Sequence, residues 1–308
     1  MSDNILPFDF GEVISTELTR ANRDNDHLAH ASSHIRGSLR HAALDVAGAP
    51  KKPRSIIDQI TLQTGTMWHE YIATTMSRLG IPIMQEINVT PWLPTGWAGT
   101  LDGLAWSPKD KGFVLLDYKT CRGSALKWIA RDGAKVEHQA QASAYWYAVE
   151  KMGLPLVKKI AVIYVPKDPA GKDLTEPLQV TFAPLPKKEL HADMANRWGT
   201  ISGYVTSLGG TPGQPVEVKT LQGWVTDSLP PVQAREQKLY LDRATGMSEV
   251  RLVPNWSTAY CQFEDDLCNC SDQGQTKIGV YDTDGTYLPR AGYEATEPTV
   301  TPYDITPY

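Results

Sequence analysis

The chain has 308 residues and a mass of 34.0 kDa, enough for about two domains at roughly 150 residues each. Hydrophobic residues make up 41% and charged residues 21%, which excludes a mainly disordered or collagen-like chain. The net charge of −5 and pI of 5.8 argue against coating nucleic acid by bulk charge, though not against gripping phosphates in a local basic channel.

No apolar run approaches the ~20 residues that span a bilayer. Met1 to Gly11 carries Asp3 and Asp9 without a basic stretch, unlike a signal peptide. Four cysteines in such a chain read as reduced thiols or metal ligands rather than a disulfide framework. The expectation is a soluble cytoplasmic protein with no membrane partner.

Residues 1–60 read as a helical, polar N-terminal segment. From Asp24 to Ala47 there is no proline, and Gly37 is the single interruption. His27, His30, His34 and His41 share one face if this stretch is one helix. The stripe lacks the cysteine or carboxylate company of a zinc site, so a polar helix flank is the expectation. Lys51-Lys52-Pro53-Arg54 reads as a basic, exposed break.

The spacing next predicts a helix over Thr64–Leu79, with Met67, Ile72, Met76 and Leu79 toward a core. Strands follow over Ile83–Val89, Trp97–Trp106 and Phe113–Tyr118. A helix over Val136–Met152 is stopped by Gly153 and Pro155, and Ile160–Val165 reads as a buried strand. Helix, three-stranded β meander, helix, strand describes a compact α/β unit. Six of the nine tryptophans, at 68, 92, 97, 106, 128 and 146, fall here. Most are assigned to the core, with one or two left to stack on bases.

Farther on, Leu178–Phe182 reads as an edge strand. Lys187–Leu208 carries an amphipathic stripe at positions 190, 194, 198, 201, 205 and 208. Residues 209–235 are Gly/Pro-rich loop, and Lys277–Val280 with Tyr287–Leu288 flank Asp284-Gly285 as a hairpin. Pro298, Pro302 and Pro307 mark a tail. The division expected is a helical segment over 1–60, a core with its flanking helix over 61–208, a cysteine-containing C-terminal extension over 209–290, and a tail over 291–308.

Chemistry concentrates in the α/β unit. Asp102 lies in Gly99-Thr100-Leu101-Asp102-Gly103, and the next strand ends in Asp117-Tyr118-Lys119. With period two, Asp117 and Lys119 point to one side and Tyr118 to the other. If the two stretches pair, Asp102 reaches the same edge. Two carboxylates that close repel unless a divalent cation neutralises them, and oxygen ligands suit Mg²⁺ or Mn²⁺. A Lewis acid, a metal-activated water and a lysine are what phosphodiester hydrolysis needs. An isolated Asp-x-Lys is more often a plain strand-end salt bridge.

Three further features add to it: His69 four residues after Gly65, Gln141 and Tyr145 on one helix face, and the order of the set. Gly-x3-His, Gly-x2-Asp, Asp-x-Lys and Gln-x3-Tyr fall on helix, strand, strand and helix. Taken singly, the histidine is an ordinary core-edge residue and the glutamine and tyrosine ordinary helix polars.

Over about residues 61–165 this arrangement resembles the PD-(D/E)XK nuclease superfamily, in its RecB-type, CRISPR-associated-exonuclease and phage-exonuclease branch. The resemblance implies a restriction-endonuclease-like α/β core with helical N-terminal and irregular C-terminal additions. It also implies a Mg²⁺- or Mn²⁺-dependent DNA exonuclease for recombination, repair or phage DNA processing. The alternatives are an endonuclease on the same fold and a non-catalytic nucleic-acid-binding protein.

By the resemblance, His69, Asp102, Asp117 and the Tyr118 carbonyl hold metal and Lys119 activates the attacking water. Gln141 and Tyr145 support Lys119 and the DNA backbone. Glu86 matches an acidic position of the branch and reads as a supporting carboxylate, whereas Glu70 stays a helix-surface residue. DNA is the expected partner, with a homo-oligomeric ring and a single-strand annealing protein as further implied partners. The compartment is the cytoplasm, that of a bacterial host if the chain is phage-encoded. The chain has no Gly-x4-Gly-Lys-[Ser/Thr] run and hence no P-loop motor of that class.

Some members of the branch hold a [4Fe–4S] cluster on four cysteines. The stretch from Trp256 through Cys261 to Cys268 resembles that motif, but Thr258 stands where one thiol is expected and Ser33–Arg40 has no cysteine. Four thiolates are required. Cys121, Cys261, Cys268 and Cys270 would supply them only in an unusual geometry, so a cluster-free chain is the expectation. Arg36, Arg40, Lys51, Lys52, Arg54, Arg122, Lys127, Arg131 and Lys135 are candidates for a DNA-facing surface.

Overall fold

The computed structural model describes residues 26–52, 55–167, 176–218, 224, 229–230, 235–241, 247–254, 261–263, 265–268, 276–292, 294 and 298. The readings made for residues 1–25, Pro53, Arg54, Thr258, Cys270, Pro302 and Pro307 lie outside them.

The described residues open with a short strand β1 (Ala29–His30) and two helices, α1 (Ala31–His34) and α2 (Leu39–Ala47). It is not the single polar helix expected. At Gly37 a Cβ would lie 2.3 Å from the Ser33 carbonyl oxygen, so the backbone folds back where only glycine fits. Ser38 then caps α2 by accepting the His41 backbone N–H, and Gly48 ends it at φ 79°. The four histidines are therefore spread over a turn, a strand and two helices. Nor is the segment a polar flank: Ala31, Ile35, Leu39, Ala42, Ala43, Leu44 and Val46 are all buried in the main core.

A long helix α3 (Ile56–Arg78) follows, capped by Ser55 on the Asp58 N–H, two turns earlier than the sequence places it. Ile72 packs against Leu116, Tyr118 and Ala161. Met67 and Leu79, expected in the core, are 66% and 64% exposed.

The central sheet is formed by β2 (Ile83–Asn88), β4 (Thr100–Ser107), β5 (Gly112–Cys121), β6 (Leu156–Pro166) and β7 (Leu178–Phe182), in the order β2-β4-β5-β6-β7. A separate short strand, β3 (Trp97–Ala98), precedes Gly99 and pairs with β1 in parallel. β2, β4 and β5 run antiparallel, β6 joins β5 in parallel, and β7 closes the edge antiparallel. The parallel step requires a crossover, supplied by α4 (Gly123–Asp132) and α5 (Val136–Lys151). Central β5 is covered on both faces, Leu115, Leu116 and Tyr118 all being buried, as a strand with a parallel neighbour demands.

Helix α5 carries four buried alanines, 140, 142, 144 and 148, whose small side chains let it lie close on the sheet. Helix α4 was not anticipated; its Leu126 and Ile129 fill a small core with Val162 and Tyr164. Helix α6 (Lys187–Ser207) buries Leu190, Met194, Ile201 and Val205. Of the six tryptophans, Trp97 and Trp146 are buried, while Trp106 and Trp128 are 36% and 51% exposed.

Strands β8 (Arg235–Leu241), β9 (Ser248–Pro254), β10 (Thr276–Tyr281) and β11 (Tyr287–Pro289) make a second, antiparallel sheet, with the one-turn helix α7 (Asp265–Cys268) between β9 and β10. The β10–β11 hairpin turns through Gly285 at φ 80°. The architecture is mixed α/β with a central mixed sheet, consistent with a restriction-endonuclease-like core. Among the described residues no helix is long and apolar enough to cross a membrane.

Candidate active site

The site is created where two paired strands part. The β4–β5 ladder runs from Ser107–Gly112 to Gly103–Leu116 and stops there. Beyond Leu116, β5 continues through Cys121 paired only to β6. The ladder donor freed at Tyr118 is taken by a side chain instead: its backbone N–H donates to Asp102 Oδ2 at 2.6 Å. On the other flank, β2 pairs Gln85 with Gly103 and Ile87 with Leu101, so Glu86 falls opposite Asp102. That pair is absent from the ladder, because Glu86 adopts φ 50°, a conformation that strains a residue with a Cβ.

The parting opens a cavity of about 720 Å³, walled by α3, α5, the β2–β4 bend and the segment from Asp26 to Ser32. His69, Glu86, Asp102, Lys119, Gln141 and Tyr145 all line it. A ring nitrogen of His69 and one carboxylate oxygen each of Glu86 and Asp102 lie within 4.8 Å of one another. His69 Nδ1 is 3.7 Å from Asp102 Oδ1, and its ring stands edge-on to Tyr118 at 5.7 Å.

Burial pushes the Asp102 carboxyl up to about 6. The charge of Asp117 adds to this, and Lys119, His69 and the Tyr118 N–H oppose it. Burial also pushes the Tyr118 hydroxyl up to about 12, helped by Asp102 and Glu86.

Asp117 is fully buried. The Lys119 ammonium straddles its carboxylate at 2.9 and 2.8 Å, with hydrogen-bond geometry at Oδ1, and Gln141 Nε2 donates to the same Oδ1 at 3.2 Å. Asp117 does not line the cavity or belong to the His69–Glu86–Asp102 group; it stands behind the wall, holding Lys119. Tyr145, one turn after Gln141, is buried with its ring against the Cα of Gly99.

Imidazole and two carboxylates form a donor set that accepts a divalent cation such as Mn²⁺ or Mg²⁺. The three acids Glu86, Asp102 and Asp117 occupy neighbouring places on three strands. Like charges placed opposite one another across a sheet are destabilising, and the charge of Asp117 adds to the rise that burial imposes on Asp102. The residues thus fit a metal ion.

The sequence reading did not place several residues that lie at or near the cavity. Asp26 and His30, joined by a 3.0 Å contact, line the cavity. His138 lies near Lys119, and burial, with Lys119 and Lys135 adding, pushes it down to about 3, so it is neutral. One of its ring nitrogens is 2.8 Å from the Tyr164 hydroxyl, which accepts the Lys135 N–H. Its helix spacing from Gln141 was the only available signal.

Some cations proposed for a DNA-facing surface are committed elsewhere. Arg40 is buried, donating to the Pro230 and Cys268 carbonyls. Arg36 pairs with Asp193, and Lys51 with Asp45. Lys127 and Arg131 flank the exposed Trp128 ring at 5.0 and 4.5 Å.

No protein-family model and no curated protein sequence matches the chain. Among solved structures it is similar to an alkaline exonuclease, LHK-Exo, from Laribacter hongkongensis. The identity is 11% and the TM-score 0.44, over 63% of this chain and 96% of that one. It is also similar to LHK-Exo in complex with dAMP, at 13% identity and a TM-score of 0.41, over 63% of this chain and 98% of that one.

Proposed function

We propose that the cavity between α3 and α5 is the active site of a metal-dependent deoxyribonuclease acting as an exonuclease. The observation that supports this best is the convergence of His69, Glu86 and Asp102 within 4.8 Å, in a cavity that Lys119 also lines. Those three residues would hold the cation, with the Tyr118 carbonyl as a further oxygen donor. When bound, the cation supplies Lewis acidity and a nucleophilic water near neutral pH.

Lys119 presents a positive charge where negative charge develops on the attacked phosphate. Asp117 and Gln141 fix its position, so little reorganisation is needed during reaction. Tyr145 shapes the wall beside Gly99, and the neutral His138 adds no competing cation behind Lys119. Asp102, whose carboxyl burial pushes up to about 6, would serve as a ligand in its deprotonated form.

The deciding experiment compares end-labelled linear DNA with covalently closed circular DNA, each with Mg²⁺ or Mn²⁺ and with EDTA. Metal-dependent loss of the linear substrate alone is expected, and the label reports polarity. Cutting of the circle would replace the exonuclease assignment by an endonuclease. A folded protein that cuts neither would remove the catalytic reading.

A further inference from the structure

A second group of metal-ligating side chains lies outside the cavity. A ring nitrogen of His41 and the sulfurs of Cys261 and Cys268 lie within 4.8 Å of one another. His41 comes from α2, Cys268 from the end of α7, and Cys261 from the segment before it. Sequence reading had left His41 on a polar flank and assigned the cysteines to a degenerate four-thiolate motif.

The two segments are also held together by contacts that do not use the three ligand atoms. Lys51 and Phe263 form an isolated antiparallel bridge, and the Lys52 N–H donates to the Gln262 carbonyl at 2.7 Å. Arg40 donates to the Cys268 carbonyl at 2.7 Å. Phe263, Leu267 and Cys268 are buried in the main core, with the His41 ring 5.9 Å from Phe263. The ligand atoms are thus brought together by packing on both sides.

We infer that His41, Cys261 and Cys268 bind a zinc ion that fastens the C-terminal segment to helix α2. Zn–S bonds of about 2.3 Å and Zn–N bonds of about 2.0 Å place tetrahedral ligand atoms roughly 3.5–3.8 Å apart, a small adjustment from the observed grouping. Imidazole with thiolate is the donor set zinc favours over hard cations. Three protein ligands leave one position for water or an added thiol. A [4Fe–4S] cluster takes four thiolates. Among the described residues the group has two, and Cys121 packs instead beside Leu126 and Val162. Binding converts two thiols to thiolates and releases about two protons to the buffer at neutral pH.

The test uses the full chain purified under reducing, chelator-free conditions, with zinc, iron and acid-labile sulfide measured per chain. One zinc retained through desalting is expected, with iron and sulfide near zero. Competition against a chromophoric chelator should show His41→Ala and Cys261→Ser losing about tenfold or more in zinc affinity. His41→Cys should keep the zinc, since thiolate substitutes for imidazole as a ligand whereas a merely structural histidine would not be replaced. Asp102→Asn should also keep it, which separates this ion from the cavity and from the nuclease reading.

Cys268 is buried, so its variant is open to misfolding. Cobalt loaded into the wild-type chain gives an independent readout: a thiolate-to-cobalt charge-transfer band that Cys261→Ser, still folded by circular dichroism, should show at about half intensity or less, since one of the two thiolates is gone. Zinc bound equally well by Cys261→Ser and His41→Ala, no zinc at all, or about four irons with matching sulfide would each overturn the assignment.

Discussion

Asp102 accepts the Tyr118 backbone N–H at 2.6 Å, across two strands that have just separated. The contact does two things. It satisfies a ladder donor that would otherwise be orphaned by the parting of β4 and β5, and it fixes a carboxylate at the mouth of the cleft. Held there, Asp102 is desolvated and faces the charge of Asp117, and its carboxyl rises to about 6 from an ordinary 3.8.

That shift has a sign for stability. The folded chain binds Asp102's proton more tightly than the unfolded chain does. Its contribution is therefore fully present below about pH 4 and lost as pH rises through 6. Asp102→Asn, whose amide oxygen still accepts the Tyr118 N–H, should stabilise the cation-free protein at pH 7 by about 1–3 kcal/mol and abolish cleavage. Urea melts of both proteins between pH 4 and 8 check it. A stability difference that does not grow with pH across that window would rule out the raised Asp102 value.

Lys119 and Asp117 form a unit. Removing Lys119 leaves a fully buried carboxylate without its cation, which costs about 3–5 kcal/mol, so Lys119→Ala should lose stability together with activity. Asp117→Asn combined with Lys119→Ala should recover much of the stability and none of the activity. A double-mutant cycle on melting free energies measures the coupling. Additive effects would mean that the ion pair seen at 2.8 and 2.9 Å contributes nothing.

Glu86 adopts a left-handed backbone conformation at φ 50° and faces another acid. Glu86→Gly relieves both strains and should raise cation-free stability by up to about 1 kcal/mol. The same change should weaken Mn²⁺ binding about tenfold or more, read by calorimetric titration. Unchanged Mn²⁺ affinity would take Glu86 out of the proposed ligand set.

Gly99 leaves room for the Tyr145 ring: a Cβ there would sit 2.4 Å from Cε1. Gly99→Ala should cost about 1–3 kcal/mol by overpacking and lower the rate of DNA cleavage by displacing the cavity wall. Thermal melts and initial rates test both, and wild-type values would show that the wall yields freely.

Much of the central sheet is readable from local pattern. Period-two alternation and the apolar run before Asp117 locate the strands, while Gly153 and Pro155 end the helix over Val136–Lys151. The segment from Asp26 to Ala47 misled because its histidines are regularly spaced, yet Gly37 and Ser38 break the helix and burial follows the alanines and leucines between them. Helix α4 was missed although Gly123, Leu126 and Ile129 fall on one helical face, because it is short and follows directly on the strand ending at Cys121.

The sequence by itself singled out the candidate site residues, since a histidine, two aspartates and a lysine in that order on helix and strand need no long-range contact to be noticed. What only the tertiary structure decided is where each of them sits. Local spacing treats Asp102 and Asp117 as equivalent acids, but strand parting leaves one at the cleft and buries the other beneath Lys119. Glu86 joins the group through a φ that no pattern announces. His41 meets Cys261 and Cys268 across more than two hundred residues, because burial of Phe263 and Leu267 in the core draws the two segments together. Periodicity reports which way a side chain points along its own element, whereas these pairings depend on which elements pack together.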